Sequence, residues 1–337
     1  MTWGPVVGVI VGLLPVIAFL AALVSLDSYK LVKLPLVVGT VGAGALAAWG
    51  SYALNGVVLS TVQVDWATFS RYIAPFVEEV LKGAIVMVLI RFGRIAFLVD
   101  AAIFGFAVGT GFSVLENIYY SFSGIAHDSG VGTWIIRGFG TAIMHGGATA
   151  ILAVTSLSFL DGPGVRRPVA VAPGLVLAYC LHSLYNQALL PPIYQTFLVL
   201  ALVPALLAFV FWRSEKSLGE WLGSGFDNDA NLLELINSGE FTGSPLGQYL
   251  SSLRAKFEGP VVADMLCYVR LHTELALRAK GILMLRETGF EPPTDETVSE
   301  KFTELRYLGS TMGATGRIAL RPMLHMSRKD LRQIYLL

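Results

Sequence analysis

Charge is what this sequence lacks. Asp, Glu, Lys and Arg make up 14% of its 337 residues, hydrophobic residues make up 54%, and the mean hydropathy is +0.65. An ordinary soluble domain carries about a quarter charged residues, so that class is excluded and a membrane protein is the default. The formal net charge is zero, and without a basic excess nucleic acid is excluded as the main partner. Cysteine is nearly absent as well. Cys180, in an apolar run, and Cys267, in the polar C-terminal part, offer neither a metal spacing nor a disulfide framework and read as small buried hydrophobes. No repeat or low-complexity tract is present. The N-terminal apolar run lacks the basic residues of a secretory signal, so it reads as a permanent first helix.

What the chain has in abundance is long apolar runs. Crossing a hydrocarbon core of about 30 Å takes roughly 20 apolar residues as helix. Such runs place about seven spans, near residues 4–26, 34–56, 71–91, 97–120, 135–159, 169–190 and 194–212. Basic residues follow alternate spans: Lys30 and Lys33, Arg91 and Arg94, Arg166 and Arg167, Arg213 and Lys216. By the positive-inside rule those segments are cytoplasmic. The other connections carry Asp65 and Arg71, then His127, Asp128 and Arg137, then no charge at all around Pro191 and Pro192. The expected topology has the N-terminus outside and the C-terminus in the cytoplasm.

Composition changes after Arg213. Residues 1–213 read as a membrane domain and 214–337 as a cytoplasmic helical domain, so the fold class is all-α, a polytopic helical membrane protein with a soluble helical tail. Breakers divide the tail into helices from Asp229 to about Asn237, Pro245 to Phe257, Pro260 to about Arg286 and onward from Pro292-Pro293. It carries no catalytic motif. His272 and His325 are single histidines in no motif and read as structural or surface residues, and the domain's expected role is to bind a cytoplasmic regulator.

Ionisable residues inside the spans are costly to insert and usually mark function. The third span holds Glu78, Glu79 and Lys82, spaced to share one helical face, with Pro75 one turn earlier to open the backbone. The fourth brings Phe112 and, four residues on, Glu116 beside Asn117. The fifth brings His145, followed by Gly146-Gly147, which lets another helix come close. The sixth brings His182 and Asn186, again four apart. At about 1.5 Å per residue, Glu78, Glu116, His145 and His182 lie roughly 10, 6, 12 and 14 Å below the outer boundary. Four helices therefore set polar groups at matching depth, as one shared site requires. Gly105 and Gly109 form a small-xxx-small pair suited to helix packing, and Asp100 lies near the cytoplasmic boundary and is expected to face it.

In this order, EEVLK at 78–82, FSVLE at 112–116, His145 and HSLYN at 182–186 resemble the successive motifs of the PrsW family of intramembrane proteases, distant relatives of the CAAX prenyl protease and Abi group. The resemblance covers about residues 66–190. It implies cleavage of membrane-anchored proteins embedded in the lipid bilayer, such as anti-sigma factors, near the outer face. Glu116 departs from the CAAX relatives, which carry histidine there. Two chemistries fit. In one, metal-independent, Glu78 or Glu79 is a general base on water beside Lys82, while His182 and Asn186 donate to the oxyanion. In the other, Glu116, His145, His182 and one of the paired glutamates, Glu79 in this assignment, bind zinc and the remaining glutamate is the base. Two imidazoles plus carboxylates favour the second. The rival readings are an ion- or proton-coupled transporter or channel, against which the groups lie at one level instead of forming a chain across the bilayer, and a CAAX-type prenyl-protein processing protease.

Overall fold

The computed structural model describes residues 4–122, 130–160, 167–291, 293, 297–324 and 331. His127, Asp128, Arg166, Pro292 and His325 lie outside the described residues. The chain divides into two compact units, one of residues 1–27 and 31–214 and one of residues 28–30 and 215–337. Every regular element is a helix among the described residues.

The first unit is built from α1 (Gly4–Ser25), α2 (Leu34–Thr61), a single turn α3 (Trp66–Thr68), α4 (Ala74–Arg91), α5 (Leu98–Phe122), a short α6 (Val131–Ile135), α7 (Ala142–Leu160), α8 (Arg167–Asn186) and the start of α9 (Pro192–Asn237). Two π-helical turns interrupt it, Phe69–Ile73 ahead of α4 and Ile136–Thr141 between α6 and α7. Among the described residues, five stretches are long and apolar enough to cross a membrane: Leu34–Thr61, Leu98–Phe122, Val131–Leu160, Val169–Asn186 and Pro192–Glu220. Of the other two expected spans, α1 is apolar over Ile10–Ser25, and α4 is apolar but carries four charges, Glu78, Glu79, Lys82 and Arg91, in 18 residues.

α5 is the axis of this unit. Every residue from Val99 to Ser113 is buried, as is Asn117, and α5 packs chiefly on α7 and α2. Small residues make that packing close, which is how helices associate where lipid supplies no hydrophobic drive. Gly105 lies against the α7 backbone at Thr149-Ala150, and a Cβ on Gly109 would overlap the carbonyl of His145. The pair read as packing from its spacing therefore packs, and it also fixes the height of His145 against α5. Asp100 is fully buried instead of facing the boundary. Its Oδ2 accepts the N–H groups of Ala96 and Phe97 at 3.2 and 3.0 Å, so it caps the first turn of α5, where unpaired donors need an acceptor. Asp65 does the same for α3, accepting from the Thr68 N–H at 3.0 Å. That bond holds its carboxyl below the usual carboxylate range, so the cap is lost only as pH falls beneath that range.

The second unit contains the end of α9, then α10 (Pro245–Leu253), α11 (Gly259–Glu287), α12 (Val298–Thr311) and α13 (Gly313–Leu320). Ser244 caps α10 by accepting from Gly247. Lys280 donates to Asp229 Oδ2 at 2.8 Å in a buried pair. The helix expected from Asp229 is not separate: α9 runs unbroken from Pro192 to Asn237, because the intervening sequence holds glycines, each costing about 1 kcal/mol in a helix, but no proline after Pro204. One expectation of burial changes sign: Cys180 and Cys267 are exposed. His272 is buried beside Tyr268, the structural one of its two readings.

Candidate metal centre and active site

α4 buries one stripe, Pro75, Glu79, Lys82, Gly83, Val86 and Ile90, and the ionic residues of that stripe cannot reach water. Glu79 and Lys82 are both fully buried, and Lys82 Nζ donates to Glu79 Oε1. Their pairing makes burial tolerable, since a charge in low dielectric needs a partner. The helix is prepared for this one turn upstream. Pro75 has no N–H to offer the carbonyls of the preceding π turn, and α8 supplies the missing donors. Ser183 Oγ donates to the Arg71 carbonyl at 2.7 Å and Asn186 Nδ2 to the Ser70 carbonyl at 3.0 Å. Asn186, expected at the oxyanion, has its amide group on backbone here. Ser183→Ala should cost about 1 kcal/mol, the worth of a membrane hydrogen bond, read as a lowered unfolding midpoint in nanodiscs with zinc affinity unchanged.

The two histidines meet from α7 and α8, ring centres 4.7 Å apart and nearly perpendicular. His182 Nδ1 lies 2.9 Å from Glu79 Oε1 and its Nε2 lies 3.9 Å from Glu78 Oε2. His145 Nδ1 lies 3.1 Å from Lys82 Nζ and its Nε2 lies 3.1 Å from Glu116 Oε2. An ammonium can only donate, so these contacts fix one tautomer: His145 accepts at Nδ1 and donates Nε2–H to Glu116. Phe112, one turn before Glu116, packs its ring 5.1 Å from the His145 ring and 4.4 Å beneath the Lys82 ammonium, a cation–π contact that helps hold the amine.

Glu78, Glu79, Lys82, Glu116, His145 and His182 are thus brought together by four helices, and Asn186 stands one layer away on the backbone. Among the described residues, Glu78, His145 and His182 form the group that could hold a metal ion, each offering a ligand atom within 4.8 Å of the others. The sequence assignment had placed Glu79 and Glu116 among the ligands and left Glu78 outside. In this geometry Glu79 and Glu116 each engage one ring nitrogen of a histidine, the carboxylate–histidine support typical around metal sites. The donors present fit a divalent ion: two imidazoles and a carboxylate are a usual catalytic zinc set with a fourth position open. One more feature belongs to the same site. Glu79 Oε2 is buried and has no hydrogen-bond partner, an acceptor held ready for a donor that the protein does not supply.

Sequence reasoning passed over one residue, Arg137. It read as a boundary charge, but its guanidinium is an ion-pair partner of Glu116, with Nη2 3.5 Å from Oε1. Its one signal was a lone cation at the head of an apolar run. The partly exposed side chains of the cluster are Glu78, Glu116 and Arg137, at 16, 25 and 17%.

The family description PrsW family intramembrane metalloprotease matches residues 33–212, which contain every element of the cluster. No curated protein and no solved structure matches the chain. The matched residues are more than half of the chain, and the buried acids and imidazoles they contain suit the chemistry of that description: the chain belongs to the PrsW family of intramembrane metalloproteases, and it is a peptidase.

Proposed function

We propose that the protein hydrolyses a peptide bond of a membrane-anchored protein near the outer face of the membrane, with a zinc ion held by Glu78, His145 and His182. The observation that carries this reading is that three side chains from three helices offer ligand atoms within 4.8 Å of one another inside an apolar unit. An ion bound there would supply Lewis-acid polarisation of the scissile carbonyl and make an attacking water more acidic. The chain's own residues do the rest. Glu79 takes the proton of the attacking water at Oε2 and delivers it to the amide nitrogen as the C–N bond breaks, yielding a carboxylate and an amine. Lys82 holds Glu79 through its other oxygen, so the base stays aimed. Phe112 and the glycine-lined α5–α7 contact keep bulk water away from the two imidazoles.

Anti-sigma factors are the substrate class suggested by the motif resemblance, and the alternating basic connections support an N-terminus outside and a C-terminus in the cytoplasm. Residues 214–337 would then meet a cytoplasmic regulator. In proteoliposomes holding a membrane-anchored test substrate, chelation should abolish cleavage and added zinc should restore it. Full activity of metal-free protein would reject the ion. Cleavage that survives both Glu78→Ala and His182→Ala would reject the site. Substrate identity follows from comparing new termini in membrane proteomes with active and Glu79→Gln enzyme. Termini that all map to the cytoplasmic side would overturn the outer-face reading.

A further inference from the structure

We infer that Arg137 is a positioning residue of this centre: it sets the Glu116 carboxylate, which in turn holds the His145 ring through its Nε2. The inference rests on the metal reading above and assigns a role that the motif residues do not include.

Three contacts clamp the guanidinium. Its Nε donates to Asn117 Oδ1 at 2.8 Å, its carbon lies 3.9 Å from the centre of the Tyr120 ring, and its Nη2 faces Glu116 Oε1 at 3.5 Å. Asn117 is itself anchored, because its Nδ2 donates to the Gly12 carbonyl of α1 at 2.9 Å. A continuous line therefore runs from the α1 backbone through Asn117, Arg137 and Glu116 to His145 Nε2. Glu116 needs such a line. It is the most exposed carboxylate of the cluster, at 25%, and a glutamate has three rotatable bonds by which to leave the imidazole. Arg137 Nη2 makes no hydrogen bond among the described residues, so its hold on Glu116 is electrostatic: a guanidinium fixed at two other points keeps its charge beside Oε1 and favours the conformer in which Oε2 meets His145.

The π turn makes this arrangement available. On a regular α-helix, residues eight apart such as Arg137 and His145 are offset by about 80°. A π turn absorbs one additional residue, so Arg137 behaves as if seven positions away and the offset falls to about 20°. The Ile136–Thr141 turn lies between them, and it places both residues on the face that meets Glu116. π turns inside α-helices recur at functional sites for this kind of re-aiming.

The test is zinc affinity of the full-length solubilised protein, measured by competition with a chromophoric chelator. Removing a side chain that orients a ligand weakens metal binding by about 10- to 100-fold. Arg137→Met and Glu116→Gln should each do so, and the double variant should lose no more than the worse single one, because the two act in series. Arg137→Lys should recover part of the loss, and it carries the comparison if Arg137→Met does not fold. Parental affinity in the Arg137 variants, or losses that multiply in the double variant, would overturn the assignment. A parent that binds no zinc, or that keeps its affinity in His182→Ala, would overturn the metal reading itself and this inference with it.

Discussion

Glu79→Gln is expected to lower kcat by about 10²- to 10⁴-fold, the usual loss when a general base is removed, while KM changes little and zinc stays bound. The amide keeps an oxygen that can accept from Lys82 and from His182 Nδ1–H, so the scaffold on the ligand side survives. What it loses is a proton acceptor at Oε2, the buried atom that has no hydrogen-bond partner. A loss confined to kcat identifies an interaction made in the transition state and not on substrate binding. Single-turnover cleavage of a membrane-anchored substrate, with zinc content measured on the same sample, reads both quantities. Wild-type kcat in Glu79→Gln would remove Glu79 from the role of base and leave Glu116 as the next carboxylate in contact with a histidine.

Lys82→Met is expected to be the most destabilising single change in the membrane unit. Lys82 and Glu79 are each completely buried and their ion pair is direct. Removing one member of such a pair leaves an uncompensated charge and costs about 3–5 kcal/mol, whereas replacing both members with apolar residues of similar size is often neutral. Thermal unfolding in nanodiscs should therefore show a large drop for Lys82→Met that is mostly recovered in the Lys82→Met, Glu79→Leu double variant. Activity should be recovered in neither, because the double variant has lost the proposed base. If the double variant were as unstable as the single one, the pairing would not be what holds Lys82 in place. Lys82 would then owe its burial to Phe112 and His145.

The parts of the site legible in the sequence were those that violate the membrane's chemistry. Glu78, Glu79, Lys82, Glu116, His145 and His182 stand out because ionisable groups in apolar runs demand a reason, and helical rise alone puts Glu78, Glu116, His145 and His182 at similar depth. Arg137 was hidden because it sits where an apolar run begins, a position at which arginine is ordinary. Its register to His145 depends on a π turn, which leaves no trace in helical periodicity. The division of labour among the acids was equally invisible. Glu78 and Glu79 are adjacent, and only the packing of α4 shows that Glu79 faces Lys82 while Glu78 faces His182 Nε2. Asn186 was read by its spacing from His182, one turn away, but the backbone carbonyls freed near Pro75 draw its amide instead. In the fold, the helices were readable from hydropathy and breakers, while the unbroken α9 was not, since glycine weakens a helix without ending it.

The dependence of α4 on α8 has a consequence for how the protein matures. α8 is the later of the two to leave the ribosome, and it brings both a candidate ligand, His182, and the two donors that complete the backbone before Pro75. Until α8 is inserted, the nascent chain holds acids and one imidazole but not the full candidate set, so the proposed metal centre should be unable to form while the protein is being made. A chain truncated after α7 should therefore be inserted yet inert.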